Sequence, residues 1–450
     1  MYGEGNMLSA IDNELMTRVG QGTPVGDLMR QYWLPALMST ELPEPDSAPV
    51  RVRLLGEDLI AFRDTNGSVG LIDNYCPHRR ASLFFGRNEE CGLRCVYHGW
   101  KFDLHGDCVD MPSEPSESNF KDKVKITAYP CQERNGVVWT YMGPRRELPP
   151  LPDIEPNMMP EGSEWSVYTV LRDCNWVQAL EGDIDTSHLG FLHFGSVNPE
   201  DLTPGAFDYL TVNPRAPQGY DVIDTDYGTS YGAWRPTGGD DIYWRVAHFL
   251  APFYSMIPTN VLGVQILVRA WVPVDDTHTM FWNLAGPNPF RNITGSQNGR
   301  APGGATINND FLPNSSDFLG RWRLAANEGN DYNIDREAQK NNKIYTGITG
   351  IHVQDQAVTE SMGSVSDRTR EHLGASDSMV IKTRQSIMRA ARNLQEGIIP
   401  PKVDHPELYQ ERSGGVILPK DAKWHEATME LRKAFVDRPE LVGTDKGYKG

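Results

Sequence analysis

Apolar residues at helical spacing open the chain. Over residues 9–34, Ile11, Leu15, Val19, Leu28, Met29 and Trp33 recur at the intervals of an amphipathic helix. The interruption GQGTPVG splits that stretch into two short helices, with Thr23 capping the second and Pro24 at its first position. From residue 50 the period falls to two: Val50, Val52 and Leu54 alternate with arginines, and Asn66-Gly67 is a hairpin signal. Short strands and tight turns continue to about residue 141, which predicts a small antiparallel β domain. Residues 143–161 hold six prolines and few apolar anchors, a stiff connection between domains. A strand at 165–171 then leads into a helix, and further strands are expected at 220–226, 242–249, 261–274 and 279–284. Helical pattern returns at 317–324, at 352–362, and from a cap at Ser376 or Asp377 to Glu396, where Gly397 stops it. Residues 286–312, rich in Gly, Asn and Pro, predict a lid or an entrance rim. The pattern describes an α+β chain in three parts: N-terminal helices over 1–40 that pack on the largest domain, a β domain over 41–145, and that largest domain over 146–450.

Composition narrows the function classes. A length of 450 residues suits two domains, and a net charge of −17 argues against nucleic acid or an anionic membrane as partner. No run of 18 apolar residues appears, and the N-terminus has neither a basic nor an apolar targeting region, so a cytoplasmic protein is expected. Six cysteines are too few for a secreted disulfide framework. Cys91, Cys108, Cys131 and Cys174 lack ligand-like spacing to histidine and read as free thiols.

The stretch LEGDIDTSHLGFLH carries the first candidate chemistry. Glu181, Asp185 and His188 stand at i, i+4 and i+7, one face of a helix, beside Leu180, Ile184 and Leu189. His193 would lie about 140° round an ideal helix from His188, so the two imidazoles meet only if the helix bends or ends between them. Gly190 is where that break is expected. Two histidines and an acid converging on one point are the ingredients of a 2-His-1-carboxylate iron site. Two ordinary helical histidines beside a capping acid are the alternative.

A second cluster lies earlier. Cys76-Pro77-His78 and Cys95-Val96-Tyr97-His98, separated by sixteen residues, offer two thiolates and two imidazoles from two loops. Such a set suits tetrahedral zinc or an iron–sulfur cluster. Each loop supplies one cysteine and one histidine, as a Rieske [2Fe–2S] centre requires. CPHR followed by CVYHGWKFD resembles the cluster loops of Rieske proteins, in the form found in ring-hydroxylating oxygenases. The resemblance implies Cys76 and Cys95 on one iron and His78 and His98 on the other.

The same family resemblance extends over nearly the whole chain. It is closest to the phthalate 4,5-dioxygenase and phenoxybenzoate dioxygenase type, on EGDIDTSHLGFLH, IHVQDQAVTESMG and DRTREHLG. It implies a helix-grip, START-like catalytic domain behind the Rieske domain, with His188 and His193 on a mononuclear Fe(II). Asp331, Asp335, Asp355, Asp367 and Asp377 are candidates for the third ligand, and Asp355 is preferred because its segment resembles the ligand helix of phthalate-type members. Asp185 is implied to bridge His188 to a Rieske histidine, His98, of a neighbouring subunit in a head-to-tail ring of three, with Glu181 and Asn175 in the adjoining water-and-proton network. The implied substrate is an aromatic carboxylate, dihydroxylated with O₂, and its anion needs a cation: Arg245 first, Arg215 second. Phthalate-type relatives tend to read R-x-P-R near 215, whereas this chain reads RAPQ, so Gln218 removes a second clamp and favours a monocarboxylate or ether. No dinucleotide-binding or plant-type ferredoxin motif appears, so electrons are expected from a separate NAD(P)H-dependent reductase carrying flavin and [2Fe–2S]. Monooxygenation or O-demethylation shares these motifs. A Rieske electron carrier and a structural zinc protein are the readings from other classes.

Overall fold

The computed structural model describes residues 7–160, 163, 165–196, 219–237, 239–258, 261–286 and 309–441. Helix α1 spans Ala10–Thr17, with Ser9 accepting from the Asp12 amide, and α2 spans Pro24–Met29, where Thr23 Oγ1 accepts from the Gly26 amide. The helical period expected to reach Trp33 ends earlier. Trp33–Met38 is a strand, paired with Val137–Tyr141, which pairs in turn with Cys131–Arg134. Residues 33–38 therefore join the first β domain, and the boundary expected at residue 40 cuts across a sheet. Every residue of that strand is buried, so the apolar run reads equally well as strand or helix until a pairing partner is known.

Two four-stranded antiparallel sheets complete the first domain. One runs Val50–Leu54, Glu57–Arg63, Val69–Asp73, Ala128–Tyr129; the other runs Arg87–Glu89, Gly92–Arg94, Lys101–Phe102, Cys108–Asp110. At Asn66-Gly67 the chain does turn, with Gly67 at φ 86°, and Asp64 accepts from the amides of Asn66 and Ser68. The second sheet has its own small core, in which Ile60, Phe62, Leu83, Leu93, Trp100 and Phe102 surround Cys76 and Cys95.

The larger domain is built on an eight-stranded antiparallel sheet. Its order is Ser166–Arg172, Thr279–Ala285, Leu267–Pro273, Tyr254–Met256, Asp241–Leu250, Gly228–Pro236, Gly219–Thr225, with Gly414–Pro419 also pairing Asp241–Leu250. Helix α3 (Trp176–Ile184) lies over the strands Tyr254–Met256 and Leu267–Pro273. The one-turn helix α4 (Leu189–Leu192) follows it, and α5 (Ile351–Ser361) packs against α3. Helix α6 (Ser378–Gln395) crosses the other end of the sheet, over Gly228–Pro236 and Gly219–Thr225, and receives α1 and α2 on its flank. An antiparallel sheet covered by a long helix is the helix-grip arrangement expected above. Residues 317–324 form bends and turns instead of the expected helix: Gly320 closes a turn onto Asp317, and Leu324 bridges to Phe311.

Cross-strand register decides which side chains face the helices. Tyr168 lies opposite Asn283, Asn283 opposite Arg269, and Arg269 opposite Ser255, all in one row. Ser255 lies opposite Phe249, so Arg245, four residues before Phe249, shares that face. Asp183 of α3 bonds both Ser255 and Arg269, which identifies this as the face the helices cover.

Candidate metal centres

The sequence after α3 turns sharply because of an acid. Asp185 leaves the helix with extended backbone (φ −79°, ψ 121°), and its Oδ1 accepts from both the amide and the hydroxyl of Ser187 at 2.6 Å. Such an Asx turn competes with the helical hydrogen bond and stops the helix. The break therefore falls at residues 185–187 and not at Gly190, which is buried inside α4. With one helical turn between them, His188 stands before α4 and His193 after it. Their Nε2 atoms come within 3.2 Å of each other. Asp355 Oδ1, from α5, lies 3.2 Å from His193 Nε2 and 3.6 Å from His188 Nε2.

Among the described residues, these three form the group of His, Cys, Asp and Glu ligand atoms gathered closely enough to hold one ion. Metal–ligand bonds of about 2.0–2.2 Å at right angles would set neighbouring donors roughly 3 Å apart. A triangle with edges of 3.2–3.6 Å matches three donors on one side of a metal, and two imidazoles with a carboxylate match the donor set of Fe(II). Burial alone would raise the Asp355 carboxyl, but the facing His193 and His188 outweigh it and hold the group well below the usual carboxylate range. Burial would lower His188, yet Asp185 and Asp355 raise it. Asp185 Oδ2 faces His188 Nδ1 at 3.6 Å. Gln354, beside Asp355, accepts from His193 Nδ1 at 2.7 Å.

Beneath the triad runs a chain of polar contacts that sequence reasoning did not find. Asp183 is buried and accepts from Ser255, from Arg269 and from Trp271 Nε1. Arg269 Nη2 in turn donates to His352 Nε2 at 3.3 Å, and His352 Nδ1 meets the Tyr168 hydroxyl at 3.2 Å. Burial and the charges of Arg269 and Arg172 push His352 down to about 3, so it is neutral. The two segments that carry the triad are thus tied to one row of the sheet. In the sequence Asp183 and His352 stand at i−2 from Asp185 and i−3 from Asp355, inside the two segments that carry the family resemblance.

Other expected residues lie elsewhere. Asn175 caps α3, accepting from the Val177 amide and donating to the carbonyls of Thr17 and Asp276. Glu181 is clamped by Arg368 and Arg384 at 3.0 and 2.6 Å. The structure brings neither to the triad, and their polar atoms anchor α3. Asp335, Asp367 and Asp377 accept from nearby backbone amides in caps and turns, and Asp331 sits in a turn at φ 50°. Of the five carboxylates considered, Asp355 alone reaches the histidines. Arg245 is buried, and its Nε donates to Thr186 Oγ1 at 2.9 Å, one residue beyond Asp185. Arg215, Gln218 and most of the 286–312 loop lie outside the described residues.

The loops of the first domain are built alike. Arg80 donates back to the Cys76 carbonyl and Gly99 back to the Cys95 carbonyl, while the Cys76 and Cys95 amides donate forward to Ala81 and Trp100. Both thiols are buried, and burial together with the neighbouring Cys95 pushes Cys76 up to about 12. The His78 and His98 rings meet at the surface with centroids 4.4 Å apart, and Trp100 stacks on His78 at 4.5 Å. Trp100 Nε1 is buried with no acceptor among the described residues. A buried pair of soft thiols and an outer pair of borderline imidazoles suit two irons better than a single zinc, which would draw all four donors together.

Two family models match the chain: Rieske [2Fe-2S] domain over residues 32–130, and LigXa C-terminal domain like over residues 140–446. The chain belongs to the Rieske oxygenases. As an oxygenase alpha subunit of this family it carries a Rieske [2Fe–2S] cluster and a mononuclear iron, and it is an oxidoreductase. It is 47% identical to the 3-chlorobenzoate-3,4-dioxygenase oxygenase subunit of Comamonas testosteroni, over 92% of this chain and 96% of that one. It is 41% identical to the phthalate 4,5-dioxygenase oxygenase subunit of Pseudomonas putida, over 87% and 88% of the two chains. A third relative, the 5,5'-dehydrodivanillate O-demethylase oxygenase subunit of Sphingobium sp., is 31% identical over 88% and 84%. The terminal oxygenase of carbazole 1,9a-dioxygenase from Novosphingobium sp. KA1 shares the fold, with a TM-score of 0.52 at 18% identity over 86% of this Rieske oxygenase and 100% of that chain. No helix among the described residues is long and apolar enough to cross a membrane.

Proposed function

We propose that this Rieske oxygenase dihydroxylates the ring of an aromatic monocarboxylate, as the terminal component of a multicomponent system. His188, His193 and Asp355 hold the mononuclear Fe(II), Cys76 and Cys95 hold one cluster iron, and His78 and His98 hold the other. When bound, the iron supplies the centre at which O₂ is activated, and the cluster stores one of the two electrons each turnover needs. The observation that carries the substrate class is the place of Arg245, a buried guanidinium bonded to Thr186 in the same turn as Asp185. A buried cation on the sheet face that the triad helices cover suits a bound carboxylate and orients the ring beside the triad. Two relatives are named for a chlorobenzoate and a phthalate, both aromatic acids. The more similar of the two is named for a monocarboxylate, in keeping with Gln218 where a second arginine clamp would stand.

Asp185 has a second duty in this reading. Its Oδ1 is spent on Ser187, whereas Oδ2 faces His188 and the side chain is 26% exposed. That leaves acceptor capacity for one imidazole of a second copy, His98, in a head-to-tail trimer. The electrons come from a separate NAD(P)H-dependent reductase. O-demethylation or another monooxygenation is the second reading, favoured by the relative named as an O-demethylase. Incubation with a surrogate reductase and a panel of benzoates, phthalate and methoxybenzoates under ¹⁸O₂ tests both. A dihydrodiol of 3-substituted benzoate carrying two labelled atoms is expected. Formaldehyde release with one labelled atom would replace the first reading by the second, and turnover of neutral aromatics in preference to acids would overturn the substrate class.

A further inference from the structure

We propose that Gln354 is the positioning residue of His193, fixing which ring nitrogen carries the proton and so aiming the other at the metal. The inference rests on the reading that His193 binds iron. It starts from a backbone carbonyl. The Gln354 amide touches three groups: Ile348 O at 2.6 Å, Ser196 Oγ at 2.6 Å and His193 Nδ1 at 2.7 Å. A carbonyl oxygen only accepts, so the amide nitrogen must face Ile348 and Ser196. The amide oxygen then faces the imidazole and can only accept. His193 Nδ1 must therefore bear the hydrogen, and the lone pair resides on Nε2, the atom 3.2 Å from both His188 Nε2 and Asp355 Oδ1.

Position 354 needs an amide of this length. Glutamate would offer no donor to Ile348, leucine neither donor nor acceptor, and asparagine is one methylene short. Gln354 is fully buried, so water cannot take over either bond. It also sits next to Asp355 on α5, so the helix that delivers the carboxylate ligand orients a histidine ligand as well. The two histidines are backed differently. His188 faces a carboxylate with an exposed edge, while His193 is held by a neutral, buried amide already saturated with partners.

The test compares Gln354→Leu, Ser196→Ala and His193→Ala with the parent oxygenase. Fe(II) affinity is measured by competition with a chromophoric chelator, and the nitric oxide adduct of the mononuclear iron is examined by electron paramagnetic resonance. The Rieske visible spectrum serves as the check on folding. Gln354→Leu is expected to bind Fe(II) about 10–100-fold more weakly and to give an altered nitrosyl spectrum with the Rieske spectrum intact. Ser196→Ala, which removes only one distant hydrogen bond, is expected to move both readouts in the same direction by less. It decides the matter if the leucine variant does not fold. Parent-like affinity and nitrosyl spectrum in the folded variants would overturn the proposal. If His193→Ala also retained iron, the assignment of His193 as a ligand would fail instead.

Discussion

Removing the charge of Glu181 separates anchoring from catalysis. Glu181 lies one turn before Asp185, and its side chain is 13% exposed, against 0% for Arg368 and 4% for Arg384. Arg384 also holds Glu371 through two bonds of 2.6 and 3.0 Å, so it keeps an anionic partner when Glu181 is neutralised. Arg368 does not: its next carboxylate, Glu371, is 4.0 Å away, and Asn13 and Ser366 offer only neutral oxygens. Glu181→Gln thus strands one fully buried guanidinium. Breaking a buried pair in this way costs about 3–5 kcal/mol, and the retained amide acceptor places this case near 3. At roughly 2–4 °C per kcal/mol, the catalytic domain should melt about 6–12 °C lower, which calorimetry resolves from the Rieske domain. Turnover per bound iron, assayed well below the transition, should be unchanged. Burial would raise the Glu181 carboxyl, but Arg368 and Arg384 outweigh it and the group is lowered. Its contribution is therefore complete above the unfolded carboxyl pKa of about 4.3, and is lost as pH falls through the lower folded value. The variant should lose that part of the acid-side slope. An unshifted melt with collapsed turnover per iron would refute this reasoning and return Glu181 to the proton network.

Other outcomes follow from the same contacts. Asp185→Asn should retain iron and sulfide at parent levels but lower coupled turnover about 10–100-fold or more, read by O₂ uptake against product; normal coupling would remove Asp185 from the electron route. Asp355→Ala should lose the mononuclear iron in metal analysis while the Rieske spectrum persists, whereas Cys95→Ser should do the reverse. Arg245→Gln should raise KM for benzoates about 10–100-fold, the equivalent of a charged hydrogen bond, with little change for a neutral analogue. Light scattering should give three chains per particle, and a fully active monomer would exclude the bridge through Asp185.

What the sequence could determine is what neighbouring residues settle among themselves. The Cys76 and Cys95 loops each close on hydrogen bonds spanning four or five residues, so spacing alone conveys their shape and donors. The segment around Asp355 is one helix, and His188 and His193 stand within one turn of structure. Choices between distant partners were not legible. Gly190 looked like the break, but the side chain of Asp185 wins the local competition because Ser187 satisfies it twice. Glu181 shared a helical face with Asp185, yet Arg368 and Arg384, folded in from the far end of the chain, claim it. Trp33–Met38 became a strand because Val137–Tyr141 lies alongside. Gln354 and Asp183 lie inside the quoted motifs, but nothing there names their partners, and only packing brings one against His193 and the other against Arg269. Short-range geometry is fixed by a few torsions, whereas the neighbours of a buried polar group are set by which elements meet, and that is decided by the whole core at once.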